Sequence, residues 1–377
     1  MKDILDEIEY LRHGKPFIID EKNSNQYRLV VMEDDGSKTA YCFSTPIYHD
    51  RTKKLLDLEF VSGTGERYFA VGSNANITVS DHIRLENEEG YCKIELARRP
   101  TENHGDLLLC GTDMLMPTTN GVALRAELQQ KCRLSFVLEV EQPFLEVREN
   151  GKYFALMQER FRPFAVVSCI GALDKQGQLI APASMEYQKL TDRTYRVTVT
   201  STSPLGTHVL IEASLYAPKL LQDTTVESVH PTVNNAFGPI AFVGYTEAYG
   251  EQWLYTRLEY SKIADLMDKF IHRVRLHLPK LDHSDMSLAA YQVASRFCSF
   301  GSNWNNKVAA GSYMCMSEVS ECYQTFDLTA MIVDPQARTL RRTEGVIIKP
   351  RVRGAGLAAI ATGDSYYAPQ IMEFHYC

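Results

Sequence analysis

The sequence has no apolar run of the roughly 18 residues that a membrane-spanning helix requires. It also lacks an excess of Lys and Arg: its formal net charge is −7, which argues against a general nucleic-acid binder. Low-complexity tracts and short internal repeats are absent, and 45% hydrophobic residues among 377 is an ordinary globular composition. A chain of this length can form two or three domains, each with its own hydrophobic core. We therefore predict no membrane insertion and no nucleic-acid partner.

Cysteine is scarce, with nine residues in the chain, and an odd number cannot pair completely. There is no Cys-x-x-Cys and no Cys/His cluster, and the spacing of Cys315 and Cys322 fits no zinc pattern. We expect the cysteines to be buried as small apolar residues, and we predict no metal ion and no cofactor. Cys377, the last residue, has two alternatives: a link between chains if it is exposed, or a frayed end.

The first nine residues, Met-Lys-Asp-Ile-Leu-Asp-Glu-Ile-Glu, are acidic and contain no apolar segment of the kind that secretory signals have. We expect synthesis in the cytoplasm without a signal peptide. The final location stays open, and the surface of a cell or of a particle is one candidate.

Alternation of apolar and polar residues is the commonest pattern, and it is typical of antiparallel strands with one buried face. It is clearest at residues 134–140 and 209–215, where every second residue is apolar. Asp35-Gly36 and Asn150-Gly151 separate pairs of strand-like runs and predict type I′ hairpins, and Asn120-Gly121 is a candidate for a third hairpin. We therefore predict an all-β, mainly antiparallel fold of tandem β-sandwich or jelly-roll-like domains with a short N-terminal helix.

Only two helices are predicted. Apolar residues three and four positions apart predict a helix over residues 2–13, with Gly14 available to end it. The same spacing predicts a second helix over residues 262–271, after Ser261 as the N-cap.

A Pro-containing connector at residues 217–224 is the best domain boundary, because a strand-like run ends there. We predict three parts. Residues 1–50 form an N-terminal helix plus hairpin element, residues 51–220 form a β-sandwich domain, and residues 221–377 form a second β-sandwich domain.

The C-terminal part carries an ordered series of short segments. In chain order they are DTTVES at 223–228 followed by Pro231, Asn234 and Gly238, FVG at 242–244, LYTRLE at 254–259, IHRVRLHL at 271–278, FDLT at 326–329, RTEGVII at 342–348 and PQIMEFHY at 369–376. This series resembles the DNRLRE domain, a β-sandwich module of bacteria and archaea, and it covers residues 223–377. The hexapeptide from which that family takes its name is absent, and Glu344 stands where Asn is usual.

The resemblance implies a jelly-roll-like sandwich of the kind found in surface, wall-associated and polysaccharide-related proteins. It brings no catalytic residues with it. Members of the family are usually exported, whereas this sequence shows no signal peptide. The protein therefore either leaves the cell by a route that needs no signal peptide or works inside the cell.

Common catalytic signatures are missing, since the sequence contains no G-x-S-x-G, no H-E-x-x-H, no G-x-x-x-x-G-K-[ST] and no G-x-G-x-x-G between a strand and a helix. Asp282-His283-Ser284-Asp285 offers carboxylate and imidazole groups together, but a solvated turn is the preferred interpretation because the segment lies in a predicted loop. We predict that the protein is not an enzyme. The alternative is a polysaccharide-active enzyme within residues 51–220.

The loop Gly-Ser-Asn-Trp-Asn-Asn at residues 301–306 is the most ligand-like feature of the sequence. The Trp304 ring offers a flat apolar face for stacking on a sugar, and Asn303 and Asn305 can hydrogen-bond to hydroxyl groups. Tyr366 and Tyr367 would widen this platform if the last strands run beside it. The preferred alternative is that Trp304 packs into the core or the rim of the sandwich.

Residues 338–353 hold a cluster of basic side chains against a single acid, Glu344. The basic residues are Arg338, Arg341, Arg342, Lys349, Arg351 and Arg353. A local positive field on an acidic chain suits an interface with an acidic neighbour, for which the acidic run at 86–89 is a candidate, and the alternative is a solvated sheet face. The five arginines, together with Cys377, are therefore our candidate interface residues.

These patterns predict a non-enzymatic structural protein whose partner is copies of itself, assembled into a fibre, lattice or coat of a bacterial surface or particle. The alternative is a carbohydrate-binding surface protein. In that alternative a polysaccharide binds to Trp304, Asn303, Asn305, Tyr366 and Tyr367.

Overall fold

A computed structural model describes residues 4–48, 54–128, 133–141, 146–149 (backbone only), 151–159, 161–203, 206–247, 250–354 and 356–377. Strands hold 51% of the chain and helices 5%, which confirms the predicted all-β, mainly antiparallel class. Within the described ranges, no helix has the length and apolar character needed to span a bilayer.

The chain begins with helix α1 (Ile4–Leu11) and strands β1 (Ile18–Ile19), β2 (Arg28–Met32) and β3 (Lys38–Phe43). They are followed by β4 (Glu59–Ser62), β5 (Tyr68–Val71), β6 (Asn76–Val79), β7 (His82–Asn87), β8 (Gly90–Glu95), β9 (Glu102–Asn103), β10 (Leu108–Cys110), β11 (Asp113–Pro117), β12 (Gly121–Glu127), β13 (Arg133–Val140), β14 (Glu146–Glu149), β15 (Tyr153–Glu159), β16 (Arg162–Leu173), β17 (Leu179–Ala181), β18 (Ala183–Lys189), β19 (Thr194–Ser201) and β20 (His208–Leu215). The last elements are β21 (Leu221–Glu227), β22 (Ile240–Thr246), β23 (Gly250–Leu258), a 3₁₀ helix (Tyr260–Leu266), β24 (Ile271–Pro279), β25 (Ala289–Val293), β26 (Ala310–Met316), β27 (Glu318–Val319), β28 (Tyr323–Asp327), α2 (Thr329–Ile332), β29 (Val346–Lys349), β30 (Gly356–Ala361) and β31 (Ile371–Tyr376).

The chain divides into two compact units. We call His49–Ala217 the inserted unit and Lys2–Tyr48 together with Pro218–Cys377 the split unit. The predicted boundaries near residues 50 and 220 lie close to the two ends of the inserted unit. Residues 1–50 are predicted as an element of their own, but Lys2–Tyr48 belong to the same unit as the C-terminal part, and β3 pairs with β31.

The inserted unit is a sandwich of two antiparallel sheets. In the described residues one sheet has the order β14-β15-β16-β20-β12-β11-β10-β9, with β17 added to β16, and the other has the order β18-β19-β13-β8-β7-β6-β5-β4. One hydrophobic core takes residues from both sheets, including Leu138 and Val197 on one side and Leu156 and Ile211 on the other. The two sheets therefore bury their apolar faces against each other.

The split unit also contains two antiparallel sheets. In the described residues the first has the order β1-β2-β3-β31-β24-β28-β27, and the second has the order β26-β25-β29-β23-β22-β30, with β21 added to β23. The main core of this unit combines Ala40 and Phe374 of the first sheet with Leu254 and Ile348 of the second. A smaller cluster, which includes Tyr255, lies elsewhere in the split unit and carries the candidate site.

Strand β3 connects the beginning of the chain to its end. It pairs with β31 over its full length, from Lys38 opposite Tyr376 to Phe43 opposite Ile371. All of these strand residues except His375 and Lys38 are buried, so the pairing lies inside the sheet and not at its edge. The N-terminal hairpin is therefore an integral part of the C-terminal sandwich.

The predicted hairpin at Asp35-Gly36 is present between β2 and β3, but its turn is not type I′. That turn requires positive φ at both central residues, and among the described non-glycine residues only His13, Glu66 and Arg338 have positive φ. Gly36 alone has it here, at 85°, and the Gly36 N–H donates to the Glu33 carbonyl over 3.0 Å. The loop therefore has three residues, with Gly36 in the left-handed conformation that forms a bulge.

The other two predicted hairpins occupy the expected positions. β14 pairs with β15, and Gly151 between them has a φ of 78°, whereas Asn150 lies outside the described residues. β11 pairs with β12 around Asn120-Gly121, where the Thr118 N–H donates to the Gly121 carbonyl. The alternation at 134–140 gives one buried face, while residues 209–215 are buried on both faces.

The first predicted helix is α1, which buries Ile4 and Ile8 and ends at Leu11. The first residue in the left-handed conformation after it is His13, with a φ of 55°, and Gly14 follows with a φ of 73°. The second prediction, an α-helix over 262–271 capped by Ser261, is wrong. The structure has a 3₁₀ helix over Tyr260–Leu266 without a side-chain cap, and β24 already begins at Ile271. Apolar residues three positions apart suit a 3₁₀ helix as well as an α-helix, so the spacing does not separate the two.

A buried polar group lies in the first sheet of the split unit, where α1 also packs through the contact of Tyr10 with Tyr323. Glu373 of β31 lies 3.1 Å from His277 Nε2 and 3.0 Å from Arg273 Nη2. Burial raises the pKa of Glu373, but the hydrogen bond from His277 and the charges of His277 and Arg273 outweigh it and lower that pKa to about 2.

We expect Glu373→Gln to destabilise the protein at neutral pH and to have less effect as the pH falls from 4.5 towards 2. A carboxylate whose pKa is lowered in the folded state stabilises that state above its unfolded pKa and loses this contribution on acidification. Chemical unfolding at several pH values measures the difference. Glu344→Gln, at an exposed position of the same unit, is the control, and a Glu373→Gln effect that does not change with pH would contradict the assignment.

Candidate functional site

The loop at 301–306 is held in place by amide side chains, one from the loop itself and one from Asn234. Asn303 Oδ1 accepts hydrogen bonds from the backbone N–H groups of Asn305 and Asn306 at 3.0 and 3.3 Å. Asn234 Nδ2 donates to the carbonyls of Ser299 and Ser302, each over 2.7 Å. The Asn303 side-chain oxygen therefore stabilises the loop backbone. Of the two asparagines predicted to contact a ligand, Asn305 is the exposed one.

Trp304 lies half-buried at the rim of the split unit. Its ring centroid is 5.2 Å from that of Trp253 on β23, and the two planes are tilted by 60°. Both indoles pack against the smaller hydrophobic cluster, which contains Tyr255, Phe297 and Ile347. Trp253 Nε1 donates to Glu251 Oε1 over 2.9 Å. Two tryptophans distant in sequence thus meet at one point on the sheet.

The tyrosines of β25 and β26 extend this aromatic surface. The strand register places Tyr313 opposite Tyr291, Tyr291 opposite Ile347, and Ile347 opposite Tyr255. The Tyr291 and Tyr313 rings are 5.7 Å apart and nearly perpendicular, and Tyr313 is 43% exposed. Neighbouring strands are about 4.8 Å apart, so this row crosses roughly 14 Å of the sheet.

Three cations lie over these rings. Lys307 Nζ is 3.7 Å from the Trp304 ring centroid and 5.4 Å from that of Trp253. Lys349 Nζ is 4.3 Å from the Trp253 centroid and 4.8 Å from that of Tyr291. Arg351 Cζ is 4.9 Å from the Tyr313 centroid. We call this surface the aromatic–cation strip, which consists of Trp253, Tyr291, Trp304, Lys307, Tyr313, Lys349 and Arg351.

The strip carries net positive charge. Within the described part of the chain, Lys307, Lys349 and Arg351 form no ion pair. Partial burial lowers the pKa of Lys307, and the charge of Glu251, which accepts the Trp253 N–H, acts in the opposite direction. Lys307 Nζ donates to the Trp304 carbonyl over 3.1 Å. The cations of the strip therefore contact rings and a carbonyl, and an anion would meet them without a direct ion-pair partner among the described residues.

Tyr366 does not join the strip, and Tyr367 is the residue next to it in the chain. Tyr366 is only 2% exposed, and its ring centroid lies 4.9 Å from Lys219 Nζ, just before the start of β21. Trp253 pairs with Val226 near the other end of β21, roughly 17 Å further along the strand. The expected platform of Trp304 with the two tyrosines is therefore not assembled.

Tyr366 instead lies beside a buried acid pair. Asp223 and Asp364 share one enclosed site, and Lys219 Nζ lies 2.5 Å from Asp364 Oδ1. The Gly363 N–H donates to Asp223 Oδ2. Burial, followed by the charge of Asp364, raises the pKa of Asp223 well above its usual range, and burial also raises the pKa of Asp364. Burial and the neighbouring carboxylate therefore both favour the neutral form of Asp223 over its ionised form.

The five candidate interface arginines form two groups at opposite ends of β29. At one end, Arg341 donates to the carbonyls of α2, Arg338 donates to the His272 carbonyl, and Arg342 lies over the Tyr260 ring. At the other end, Arg351 lies over Tyr313 and Arg353 over Tyr245. The predicted single positive patch is therefore divided, and Arg341 has a structural role.

The described cysteines have mixed environments. Cys42, Cys92, Cys110 and Cys169 are buried, Cys315 and Cys322 are intermediate, and Cys298 and Cys377 are exposed. Burial raises the pKa of the Cys42 thiol to about 12. Cys377 is held by a backbone hydrogen bond to the Phe270 carbonyl and lies 3.0 Å from His272 Nε2, so its main chain is not free. Cys132 lies outside the described residues.

The segment at 282–285 has a structural role. Asp282 Oδ2 accepts the Ala359 N–H over 2.8 Å, and burial raises the pKa of Asp282. In the described ranges no group of three or more His, Cys, Asp or Glu residues is arranged to hold a metal ion. In the acidic run at 86–89, Glu86 pairs with Arg84 and Glu89 with Arg162, so both acids have partners within the inserted unit.

Sequence reasoning identifies Trp304, Lys349 and Arg351 but not Trp253, Tyr291, Lys307 or Tyr313, which complete the strip. Trp253 is one of only two tryptophans in the chain, and this rarity is the available signal.

A scan of protein-family models finds no family that matches the chain, and a search of curated proteins finds no matching relative. The resemblance to the DNRLRE domain therefore depends on the ordered segments of residues 223–377 alone.

We expect Asp223→Asn to stabilise the protein relative to the wild type in a comparison from about pH 4 to 8, with a difference that grows as the pH rises above the usual pKa of an aspartate. An acid whose pKa is raised in the folded state loses stabilising power as the pH rises above its unfolded value, and Asn carries no charge to desolvate. Asn also keeps the oxygen that accepts the Gly363 N–H. Thermal unfolding across this pH range checks the result.

Asp223→Ala is the control for this prediction. It removes the acceptor for the Gly363 N–H and is expected to destabilise the protein at every pH in the range. Lower stability of Asp223→Asn throughout the range would show that the ionised form of Asp223 is the one the fold requires.

Proposed function

We propose that this protein is a non-enzymatic β-sandwich protein that binds an acidic polysaccharide at the aromatic–cation strip. The observation that supports this proposal is the set of three cations held over four aromatic rings without a carboxylate ion pair among the described residues. Rings supply flat apolar faces for sugars, and ammonium and guanidinium groups supply charge-assisted hydrogen bonds to oxyanions.

The cations also decide between neutral and acidic sugars. Lys307 covers the Trp304 ring. A neutral sugar that stacks on this ring would have to displace the ammonium group and would offer it no negative charge in return. A cation over an exposed ring gains only about 0.5–1 kcal/mol, whereas a hydrogen bond between charged groups contributes about 1.5–3 kcal/mol. A carboxylate or sulfate on the ligand would therefore draw the ammonium off the ring and uncover the indole for stacking.

The shape of the strip favours a polymer over a small molecule. Tyr313 and Tyr291 lie on the neighbouring strands β26 and β25, and Trp253 lies beyond β29 on β23, next to the loop of Trp304. A shallow surface of this length makes several weak contacts along an extended chain.

We expect Trp304→Ala to weaken the binding of an acidic polysaccharide by roughly tenfold, because a stacking surface is lost. The double variant Lys307→Gln/Lys349→Gln should weaken it further and reduce its salt dependence, because two ionic contacts are removed. Affinity electrophoresis in gels with hyaluronan, alginate or neutral dextran measures these effects. Binding of wild type to dextran as tight as to hyaluronan and alginate would contradict the proposal.

Two variants of the same unit are matched controls. Phe270→Ala removes an aromatic ring that is 48% exposed and lies outside the strip, and Lys269→Gln removes an exposed lysine charge. Both should leave retardation unchanged. Retardation by single-stranded DNA that exceeds retardation by both acidic polysaccharides would identify a different class of partner.

Self-association into a fibre, lattice or coat is a second candidate, and the open edge at β26 favours it. β26 is the last strand of its sheet in the described residues, and Gly311, Ser312 and Tyr313 are exposed along it. Exposed strand edges are the surfaces on which sheets of separate chains join. Two other edge strands have additional hydrogen bonds: the Ala359 carbonyl of β30 accepts the Leu281 N–H, and the Met185 N–H of β18 donates to the Gly151 carbonyl.

If β26 joins copies of the chain, the protein should form species larger than 42.7 kDa that increase with concentration. Ser312→Lys should shift them towards the monomer, since a lysine on an edge strand opposes pairing between sheets, while the rings of the strip remain. Light scattering coupled to size-exclusion chromatography measures the mass. A single 42.7 kDa species at all concentrations would remove this candidate.

A further inference from the structure

The inserted unit contains a cleft of about 500 Å³ that is separate from the aromatic–cation strip. Its lining comes from the turn between β4 and β5, from β5, β6 and β7, and from the loop after β8. All of these elements belong to one sheet and its loops, so the cleft needs no contribution from the split unit.

The floor of the cleft is the outward face of the sheet. Ile77 and Ile83 point into the core, so the residues that alternate with them face outward. The strand register places Phe69 opposite Thr78 and Thr78 opposite Arg84. Directly opposite side chains are about 5 Å apart at Cβ, and these three therefore form a continuous row.

A second row lies beside the first. Arg67 immediately precedes β5, and the Ser80 N–H donates to the His82 carbonyl at the β6–β7 turn. All three residues line the cleft, and Arg99 lies on the loop after β8. The cleft therefore presents an aromatic ring and a hydroxyl on its floor with arginines at its border.

The carboxylates of the cleft are already engaged. The pairs are Glu86 with Arg84 at 3.1 Å, Asp81 with His82 at 2.5 Å and Glu66 with Arg99 at 3.7 Å. By contrast, the Arg67 guanidinium makes no hydrogen bond and no ion pair with any residue that the structure describes. An anion that enters the cleft would therefore meet one unneutralised arginine.

Phe69 gives the cleft its apolar surface. The ring is 40% exposed, and it lies so close to Gly63 that a Cβ at that position would come within 2.3 Å of it. Gly63 thus makes room for the ring and fixes its orientation. A large exposed ring held in this way beside a free cation and a hydroxyl is suited to one face of a sugar that bears an acidic group.

We infer that this cleft binds an acidic monosaccharide unit, with its oxyanion on Arg67, its ring on Phe69 and a hydroxyl on Thr78. A carboxylate and a phosphate group offer the same oxyanion chemistry to Arg67, so a sugar that bears either group fits this assignment. The inference is independent of the aromatic–cation strip because the two sites share no residue.

Isothermal titration calorimetry with glucuronate, glucose 6-phosphate, glucose and inorganic phosphate tests the inference. At least one acidic sugar should saturate the protein about tenfold more tightly than glucose or inorganic phosphate does. The arm that binds more tightly identifies carboxylate or phosphate as the preferred group. No saturation by either acidic sugar, or equal affinity for glucose, would overturn the inference.

Variants separate the two parts of the site. Arg67→Gln should weaken acidic-sugar binding at least about tenfold and leave glucose unchanged, because a charge-assisted contact is lost. Phe69→Ala should weaken acidic sugars without changing inorganic phosphate. Arg193→Gln, which removes an exposed arginine of the same unit outside the cleft, should have no effect, and neither should Trp304→Ala. Unchanged acidic-sugar affinity in Arg67→Gln would refute the assignment.

Discussion

Backbone pairing between β3 and β31 is the interaction on which the split unit depends, because it places the first hairpin inside a sheet made otherwise from the C-terminal part. Ala40 and Cys42 of β3 and Met372 and Phe374 of β31 contribute to the same hydrophobic core. The second sheet, which carries the aromatic–cation strip, covers that core from the other side. The surface that we propose as a binding site is thus supported by residues from both ends of the chain.

Local features of this fold can be predicted from the sequence, and long-range ones cannot. Alternation at residues 134–140 predicts a strand with one buried face because the side-chain period is two residues, and the structure confirms it. The glycine at position 36 predicts a hairpin but not its turn type, which depends on the φ of Asp35. The pairing of β3 with β31 leaves no local pattern, which is why residues 1–50 are predicted as a separate element.

The candidate sites show the same division. Trp304 is recognisable because a tryptophan among asparagines is a local feature, but its neighbours Trp253 and Tyr291 come from other strands. The five arginines are close in sequence, yet β29 separates them into two groups. In the inserted unit, Arg67 and Phe69 become a site only when the register of the strands aligns them with Thr78. Assembly of a site from several strands requires the strand order, which composition does not contain.

The insertion of one unit within another imposes an order on folding while the chain is being synthesised. β3 emerges from the ribosome before any residue of the inserted unit, whereas its neighbour β31 is among the last segments to emerge. The inserted unit can complete its own sandwich during this interval, because none of its strands pairs with a strand of the split unit in the described residues. Throughout that time the backbone groups of β3 that pair with β31 in the folded protein have no strand beside them.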